Sequence, residues 1–252
     1  MANLAHTGLL VILSLLTIDS SYAQLYSNRI SKLYQDLFIS ESTCLNEAKK
    51  KSATFTSFSE DKKKAVELVN IYTQECKAYA NNGGKAFYAK LNENLRSGNP
   101  KPIWKTTGDL LSEGLILLGT GKFSNLYRSC RCSTIVEGTQ FSFHQFASTS
   151  SDAEAAFEFL GSGKSFIHII DATGTDIEEY SSFPNEKEIL LRPEIYLYVE
   201  KVETDSIRIR QEIKKLVPNK DPPNGVKEFV VLRGSSTKRI KRSKITSTCE
   251  CD

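Results

Sequence analysis

Leu115-Ile116-Leu117-Leu118-Gly119-Thr120-Gly121-Lys122-Phe123-Ser124-Asn125-Leu126-Tyr127-Arg128-Ser129 is where this chain of 252 residues changes its period. Before it, apolar residues recur at three- and four-residue spacing, the repeat of a helix with one buried face. After it they come in short β-branched and aromatic runs, the signature of strands. Gly119-Thr120-Gly121 marks the break, since glycine accepts the backbone that closes a helix. Helices first and strands second give an α+β arrangement.

Upstream, Gln24 to Leu118 reads as helical. Ser59 is placed to cap a segment in which Ala65, Leu68, Val69, Tyr72 and Cys76 share one face, and Asn81-Asn82-Gly83-Gly84 stops it. A second helix is expected through Ala86, Phe87, Lys90, Leu91, Asn94 and Leu95, up to Ser97-Gly98-Asn99-Pro100, and a third from Asp109 to Leu118. Downstream, strands are expected at Leu126 to Ser129, Thr139 to Ala147, Phe166 to Ile170, Glu188 to Leu191, Ile195 to Val202 and Glu228 to Leu232. Pro218 to Gly225 reads as a surface loop before the last of them.

The amino terminus has the form of a signal peptide. Met1 to Gly8 carries no acid or base except His6, Leu9 to Ile18 is apolar, and Ser21 with Ala23 supplies the small residues of a cleavage site. The apolar run is about ten residues, against the roughly twenty that span a bilayer. The carboxyl terminus, Thr248-Cys249-Glu250-Cys251-Asp252, lacks the apolar tail of a lipid-anchor signal. The expectation is a secreted, extracellular protein without a membrane anchor. Residues 1–23 would be the leader and residues 24–252 a single domain, mainly helical over 24–122 and mainly β over 123–252.

The formal charge of +3 becomes +4 when a leader containing Asp19 is removed, which is only mildly basic. Much of that charge sits in Lys238-Arg239-Ile240-Lys241-Arg242-Ser243-Lys244, either a polyanion-attracting cluster or a solvated tail. No aromatic residue interleaves with those bases, so a nucleic-acid partner has no support. The six cysteines of an exported chain are expected in disulfides. Cys130-Arg131-Cys132 and Cys249-Glu250-Cys251 have one intervening residue, the wrong spacing for zinc knuckles, so no metal is expected. A bridge from Cys44 to Cys249 or Cys251 would close the longest loop and constrain the unfolded chain most.

Four short motifs carry the question of chemistry. Gly161-Ser162-Gly163-Lys164-Ser165 resembles the end of a phosphate-binding loop, but Glu158 stands where the first glycine belongs and a strand follows instead of a helix. It reads as a helix-to-strand turn. Glu186 and Glu188 flank Lys187 at the entry to an extended run, where residues two apart face one side. Two carboxylates in one space separate in pKa, and one can then steady positive charge while the other handles a proton; a solvated charged loop is the alternative for such a triplet on its own. Arg128 lies in an apolar strand and needs an anionic partner, which a diphosphate or a structural carboxylate would supply equally well. Ser148, in Ser148-Thr149-Ser150-Ser151, suits a turn or helix cap. His144 and His168 read as packed strand residues, and the Gly-x-Ser-x-Gly elbow of a hydrolase is missing.

Taken in order, Arg128 is followed twenty residues later by Ser148 in Ser148-Thr149-Ser150, and forty further by Glu188 in Glu186-Lys187-Glu188. In this the chain resembles the vertebrate-type arginine-specific mono-ADP-ribosyltransferases. Ile71-Tyr72-Thr73, Phe87-Tyr88, Leu91-Asn92 and Leu95-Arg96 look like that family's helical half, and Tyr180 to Leu191 looks like its substrate-recognition loop and following strand. Ser129 stands where the family usually has glycine, and the Cys130-Cys132 pair lies outside its pattern.

The resemblance implies a helical amino-terminal half packed on two β-sheets, with NAD in the cleft as a co-substrate and no metal. Arg128 would bind the NAD phosphates or nearby ribose, and Ser148 would position the nicotinamide ribose and Glu188. Glu188 would hold the ribose 2'-hydroxyl and steady the cationic transition state, while Glu186 would orient the acceptor guanidinium and help to deprotonate it. Phe157 or Phe159 would stack over the nicotinamide, core packing being the alternative for either ring. The implied function is transfer of ADP-ribose to arginine-bearing acceptor proteins by a monomer, with release of nicotinamide. A secreted NAD glycohydrolase, or an inactive binding protein on the same scaffold, is the alternative.

Overall fold

The computed structural model describes residues 26–37, 39, 42–80, 83–132, 135–193, 195–234 and 249–250. The leader read at 1–23 and the basic cluster Lys238 to Lys244 lie outside these residues.

The amino-terminal half is a helical layer: α1 (26–36), α2 (Thr43–Ala53), α3 (Glu60–Thr73), α4 (Phe87–Arg96) and α5 (Pro102–Leu118). Ser59 caps α3 by accepting from the Lys62 amide, and Glu60 and Asp61 in the first turn favour the positive end of the helix. The last helix starts at Pro102, well before the expected Asp109, because proline at the first turn gives up no hydrogen bond the helix needs. Its C-cap is Gly119, whose φ of 113° is open to glycine. Leu68, Ile71, Phe87, Leu91, Trp104 and Leu111 fill the centre of the layer. Each such side chain contributes about 1.5–3 kcal/mol by leaving water. Phe146, Ile177 and Leu190 of the β half reach into the same cluster and join the two halves.

A disulfide links Cys44, in the first turn of α2, to Cys76, just beyond α3, with Cα atoms 5.9 Å apart. The expected bridge from Cys44 to the carboxyl-terminal pair is therefore incorrect. Loop entropy ranks possible bridges, but only pairs whose Cα atoms lie within about 7 Å can close. Cys132 is also disulfide-bonded, and the short strand β8 (Cys249–Glu250) pairs its Cys249 opposite Cys132.

The strands are β1 (Gly121–Cys132), β2 (Gln140–Ser142), β3 (Ala147–Ser150), β4 (Ser165–Asp176), β5 (Glu188–Leu191), β6 (Tyr196–Glu203) and β7 (Glu228–Gly234). They are ordered β2-β6-β7-β4-β5-β3-β1-β8, with β4 also paired to β1. The long strand β4 joins the β2-β6-β7 part of this eight-stranded sheet to the β5-β3-β1-β8 part. Its first half runs parallel to β7 and antiparallel to β1, whereas Thr175 and Asp176 pair with β5. Between these stretches Asp171 takes a left-handed φ of 57°. Arg233 pins it with Nη1 donating to Asp171 Oδ2 at 3.1 Å while its Nε bonds Glu200 at 2.9 Å. Gly174 follows, where a Cβ would meet Ile189 and Leu191 side-chain atoms at 2.7 and 2.8 Å, so the crossing onto β5 needs glycine.

Leu126, Phe141, Ile167, Ile189, Leu197 and Val230 belong to one apolar core of the β half. The stretch expected as one strand over Thr139 to Ala147 is two, because β2 pairs with β6 whereas β3 pairs with β5. Two helices lie against the outer face: α6 (Ala153–Glu158), capped by Asp152, and α7 (Ser206–Leu216), capped by Asp205. The Ile207-Arg208-Ile209-Arg210 alternation hides the helical period of α7, whose buried residues are Ile209 and Ile213. Together with Phe166, Phe229 and Ala156 they form the third apolar cluster.

Candidate active site

A cleft with about 210 Å³ of internal space opens where α3 and α4 meet β1, β3, β5 and α6. The strands supply its floor. Arg128 of β1 is only 9 % exposed, and its Nη1 donates to the Ser148 carbonyl oxygen. Its guanidinium lies over the Phe143 ring, 5.8 Å from the centroid. β1 meets β3 at Tyr127 opposite Ser150, and β3 meets β5 with Ser150 opposite Glu188. Ser148 is two residues from Ser150 on the same face, so it is the diagonal neighbour of Glu188.

Glu188 is 5 % exposed at the start of β5. Burial lifts its carboxyl to about 7; the Ser148 hydroxyl bond opposes the rise, Glu186 adds to it and Arg128 opposes it. Glu186 is half-buried, and burial raises its pKa too. The two acids face one cleft, though not through strand alternation as expected. Glu186 closes a 3₁₀ turn, Pro184–Glu186, and Lys187 takes a left-handed φ of 47° before β5 begins. Serines of the β3–α6 junction hold this turn. Ser150 Oγ donates to the Glu186 carbonyl at 2.6 Å and accepts from the Asp152 amide at 3.0 Å.

The helices supply the roof. Tyr72 of α3 is buried, and burial followed by the nearby Glu188 charge holds its phenol strongly protonated. Asn92 Nδ2 donates to Tyr72 Oη at 3.0 Å, and Tyr72 also shares a hydrogen bond with Ser148. Asn92, Tyr72, Ser148 and Glu188 thus form one chain of polar contacts from α4 to β5. Tyr88 packs edge-on against Tyr72, and its hydroxyl bonds Glu75 at the rim at 3.2 Å.

Arg128, Ser148, Glu186 and Glu188 all line this cleft. Of the two expected stacking rings, Phe159 lines it at 51 % exposure. Phe157 is outside it, packed with the third apolar cluster and 5.6 Å beneath the Lys220 ammonium. Of the two readings of Phe157, core packing is the one its position fits, and it does not line the cleft as a stacking ring would: two residues along the end of a short helix turn a side chain to another face. Phe183, exposed on the acidic turn, lines the cleft and was not anticipated as a site residue. Tyr72, Tyr88 and Asn92 also escaped assignment, since an aromatic stripe on a helix reads as core. His168 stands outside the cleft, stacked on Tyr127 at 5.0 Å with Nε2 bonded to Asn125 Oδ1 at 2.8 Å. Ser129, in place of the expected glycine, lines the cleft but spends its hydroxyl on the Ala156 carbonyl at 2.7 Å, tying β1 to α6.

This fold is similar to several solved ADP-ribosyltransferases. Exoenzyme S from Pseudomonas aeruginosa, solved with human 14-3-3 protein beta and carba-NAD, superimposes with a TM-score of 0.57 at 18 % identity, covering 85 % of this chain and 94 % of that one. A mutant of the eukaryotic mono-ADP-ribosyltransferase ART2.2 in complex with NAD gives 0.57 at 18 % identity, covering 89 % and 92 %. Vis toxin, an ADP-ribosyltransferase from Vibrio splendidus, gives 0.51 at 15 % identity, covering 81 % and 90 %. A search of curated proteins finds no match. The profile of the NAD:arginine ADP-ribosyltransferase family matches residues 23–215, and the chain belongs to that family.

Proposed function

We propose that this protein transfers ADP-ribose from NAD to arginine side chains of proteins and releases nicotinamide. The observation that carries this reading is the pairing, in one cleft, of a buried carboxylate on a strand with a half-exposed carboxylate on a turn. The two environments suit two tasks. Support for NAD as the co-substrate comes from relatives of the same fold solved with NAD or carba-NAD.

In this reading Glu188 accepts a hydrogen bond from the ribose 2'-hydroxyl. As the bond from C1' to the nicotinamide nitrogen breaks, the electron pair leaves with nicotinamide and the sugar becomes cationic. A carboxylate fixed in a poorly hydrated site steadies that cation more than water does, since it needs no reorganisation as charge develops. Ser148 and Tyr72 hold Glu188 in place, and Arg128 keeps the floor attractive to the diphosphate. Glu186 orients the acceptor guanidinium, one nitrogen of which bonds to C1', and takes up the proton that is released. Phe159, at the rim, stacks on the nicotinamide. The leader read at residues 1–23 supports secretion, with extracellular proteins as acceptors.

The test is incubation of the purified protein with labelled NAD, with and without agmatine. ADP-ribosyl-agmatine and free nicotinamide are expected in equal amounts above any hydrolysis. Free ADP-ribose alone, with every arginine acceptor tried, would replace transfer by NAD hydrolysis. No turnover of NAD would leave a binding protein on this scaffold.

A further inference from the structure

Between the two acids in sequence, Lys187 reaches across to the start of α6. Its Nζ meets Asp152 Oδ2 at 2.8 Å, while Asp152 Oδ1 accepts from the Glu154 amide at 2.9 Å and caps α6. One carboxylate therefore uses one oxygen to start α6 and the other to hold the acidic turn. Helix α6 carries Ala155 and Ala156 on the cleft wall and leads to Phe159.

We propose that Lys187 and Asp152 act as a latch that sets the position of Glu186, and so decides how much of the NAD turned over reaches arginine and how much is lost to water. The inference rests on the proposed transferase reading and adds two positioning residues to it. Neither touches the reacting atoms. Their effect runs through the backbone. Lys187 is left-handed, a conformation a lysine rarely adopts, so something outside the residue must favour it. The ion pair does so from the side-chain end, and the Ser151 amide, donating to the Lys187 carbonyl at 3.3 Å, does so from the main chain. Glu186 precedes Lys187, so a change in Lys187 φ and ψ swings the Glu186 carboxyl across the cleft mouth. Glu188 is anchored differently, by the β3–β5 ladder and by burial. The latch therefore governs one acid and leaves the other in place.

Lys187→Met removes the charge and keeps the stem, while Lys187→Arg keeps the charge. Asp152→Asn removes the ion pair and keeps a side chain that caps α6. With NAD and agmatine, the ratio of ADP-ribosyl-agmatine to free ADP-ribose is expected to fall about two- to fivefold in Lys187→Met and Asp152→Asn, the upper part of what a half-exposed ion pair supplies. Lys187→Arg should restore it. Hydrogen exchange of the peptide spanning 184–188 reads the latch without reference to any acceptor, and protection should drop in Lys187→Met and return in Lys187→Arg. Unchanged exchange in Lys187→Met overturns the latch. Lost protection with an unchanged product ratio overturns its control of the acceptor. A wild-type protein that makes no ADP-ribosyl-agmatine rejects the transferase reading, and the exchange result then decides the latch by itself.

Discussion

Ser150 and Glu188 stand opposite each other across the β3–β5 ladder. That single register places a serine-rich run beside an acid nearly forty positions away, with Ser148 diagonal to the carboxylate and Ser150 directly across from it. A slip of β3 by one residue would turn Ser148 and Ser150 to the other face, away from Glu188. The hydroxyl of Ser150 then reaches past the end of the ladder to the Glu186 carbonyl, so the same strand pair also holds the second acid.

Activity should rise with pH through the Glu188 titration. Burial lifts this carboxyl to about 7, and only its ionised form can steady a cationic sugar. The value of kcat/KM reports the free enzyme, so it should climb about tenfold per pH unit below 7 and level off above. Nicotinamide release measured from about pH 5 to 9 checks this. A profile flat across that range would remove Glu188 as the group that must ionise.

Glu188→Gln should cut turnover steeply and stabilise the fold above neutral pH. A neutral amide cannot offset developing positive charge, and loss of one such contact costs roughly 2.7–4 kcal/mol, about a hundred- to thousandfold in rate. In the folded protein the carboxyl binds its proton more tightly than in the unfolded chain, where its pKa is near 4.5. The stability supplied by that proton is complete below 4.5 and is lost as pH rises through about 7. The variant escapes this loss. Its thermal midpoint should exceed that of wild type near pH 8, by the equivalent of at most about 3 kcal/mol, with the gap closing near pH 5. An equal gap at both pH values would show that charge burial is not its source.

Glu186→Gln should separate the two products. Water can still trap the sugar cation, so nicotinamide release survives in part. The guanidinium, whose pKa exceeds about 12, loses the group that orients it and takes its proton. Transfer to agmatine should therefore fall about tenfold or more relative to hydrolysis, a ratio independent of how much protein is active. An unchanged ratio would sink the acceptor role.

Tyr72→Phe should cost both stability and rate. Asn92 Nδ2 loses its buried acceptor while Oδ1 already lacks a partner, a penalty of roughly 1–3 kcal/mol. Ser148 loses one of the contacts that aim it at Glu188. Adding Asn92→Leu should recover part of the stability, since both polar partners are then gone, whereas activity should stay low. Additive losses in the double variant, read from thermal melts, would show that Tyr72 and Asn92 are not coupled.

Much of the candidate site was legible because its residues stand in an order and at separations that resemble a known family, although Ser148 read locally as a turn or cap and Glu186 lies on a turn. Arg128, Ser148, Glu186 and Glu188 could be named from spacing and from family resemblance, and the structure lines one cleft with all four. Phe157 and Phe159 could not be told apart, since helix geometry at the end of a one-and-a-half-turn segment depends on what it packs against. The roof was invisible for a different reason. Tyr72 and Asn92 belong to stripes that are mostly core, and nothing in a stripe says which member meets a buried acid on another chain segment.

The chain alone determined that helices precede strands, the cap at Ser59, the change of period near Gly119 and the short motifs of the β half. These follow from local propensity and from neighbours three, four or two residues apart. Tertiary structure alone decided that Cys44 bridges Cys76, that β4 pairs with β7 before Asp171 and with β5 beyond it, and that Lys187 turns left-handed between the acids. It also made Glu188 a carboxyl that titrates near neutrality. Each of these depends on which distant surfaces come together and exclude water. Desolvation, register and closure distance are properties of the packed chain, and no window of sequence contains them.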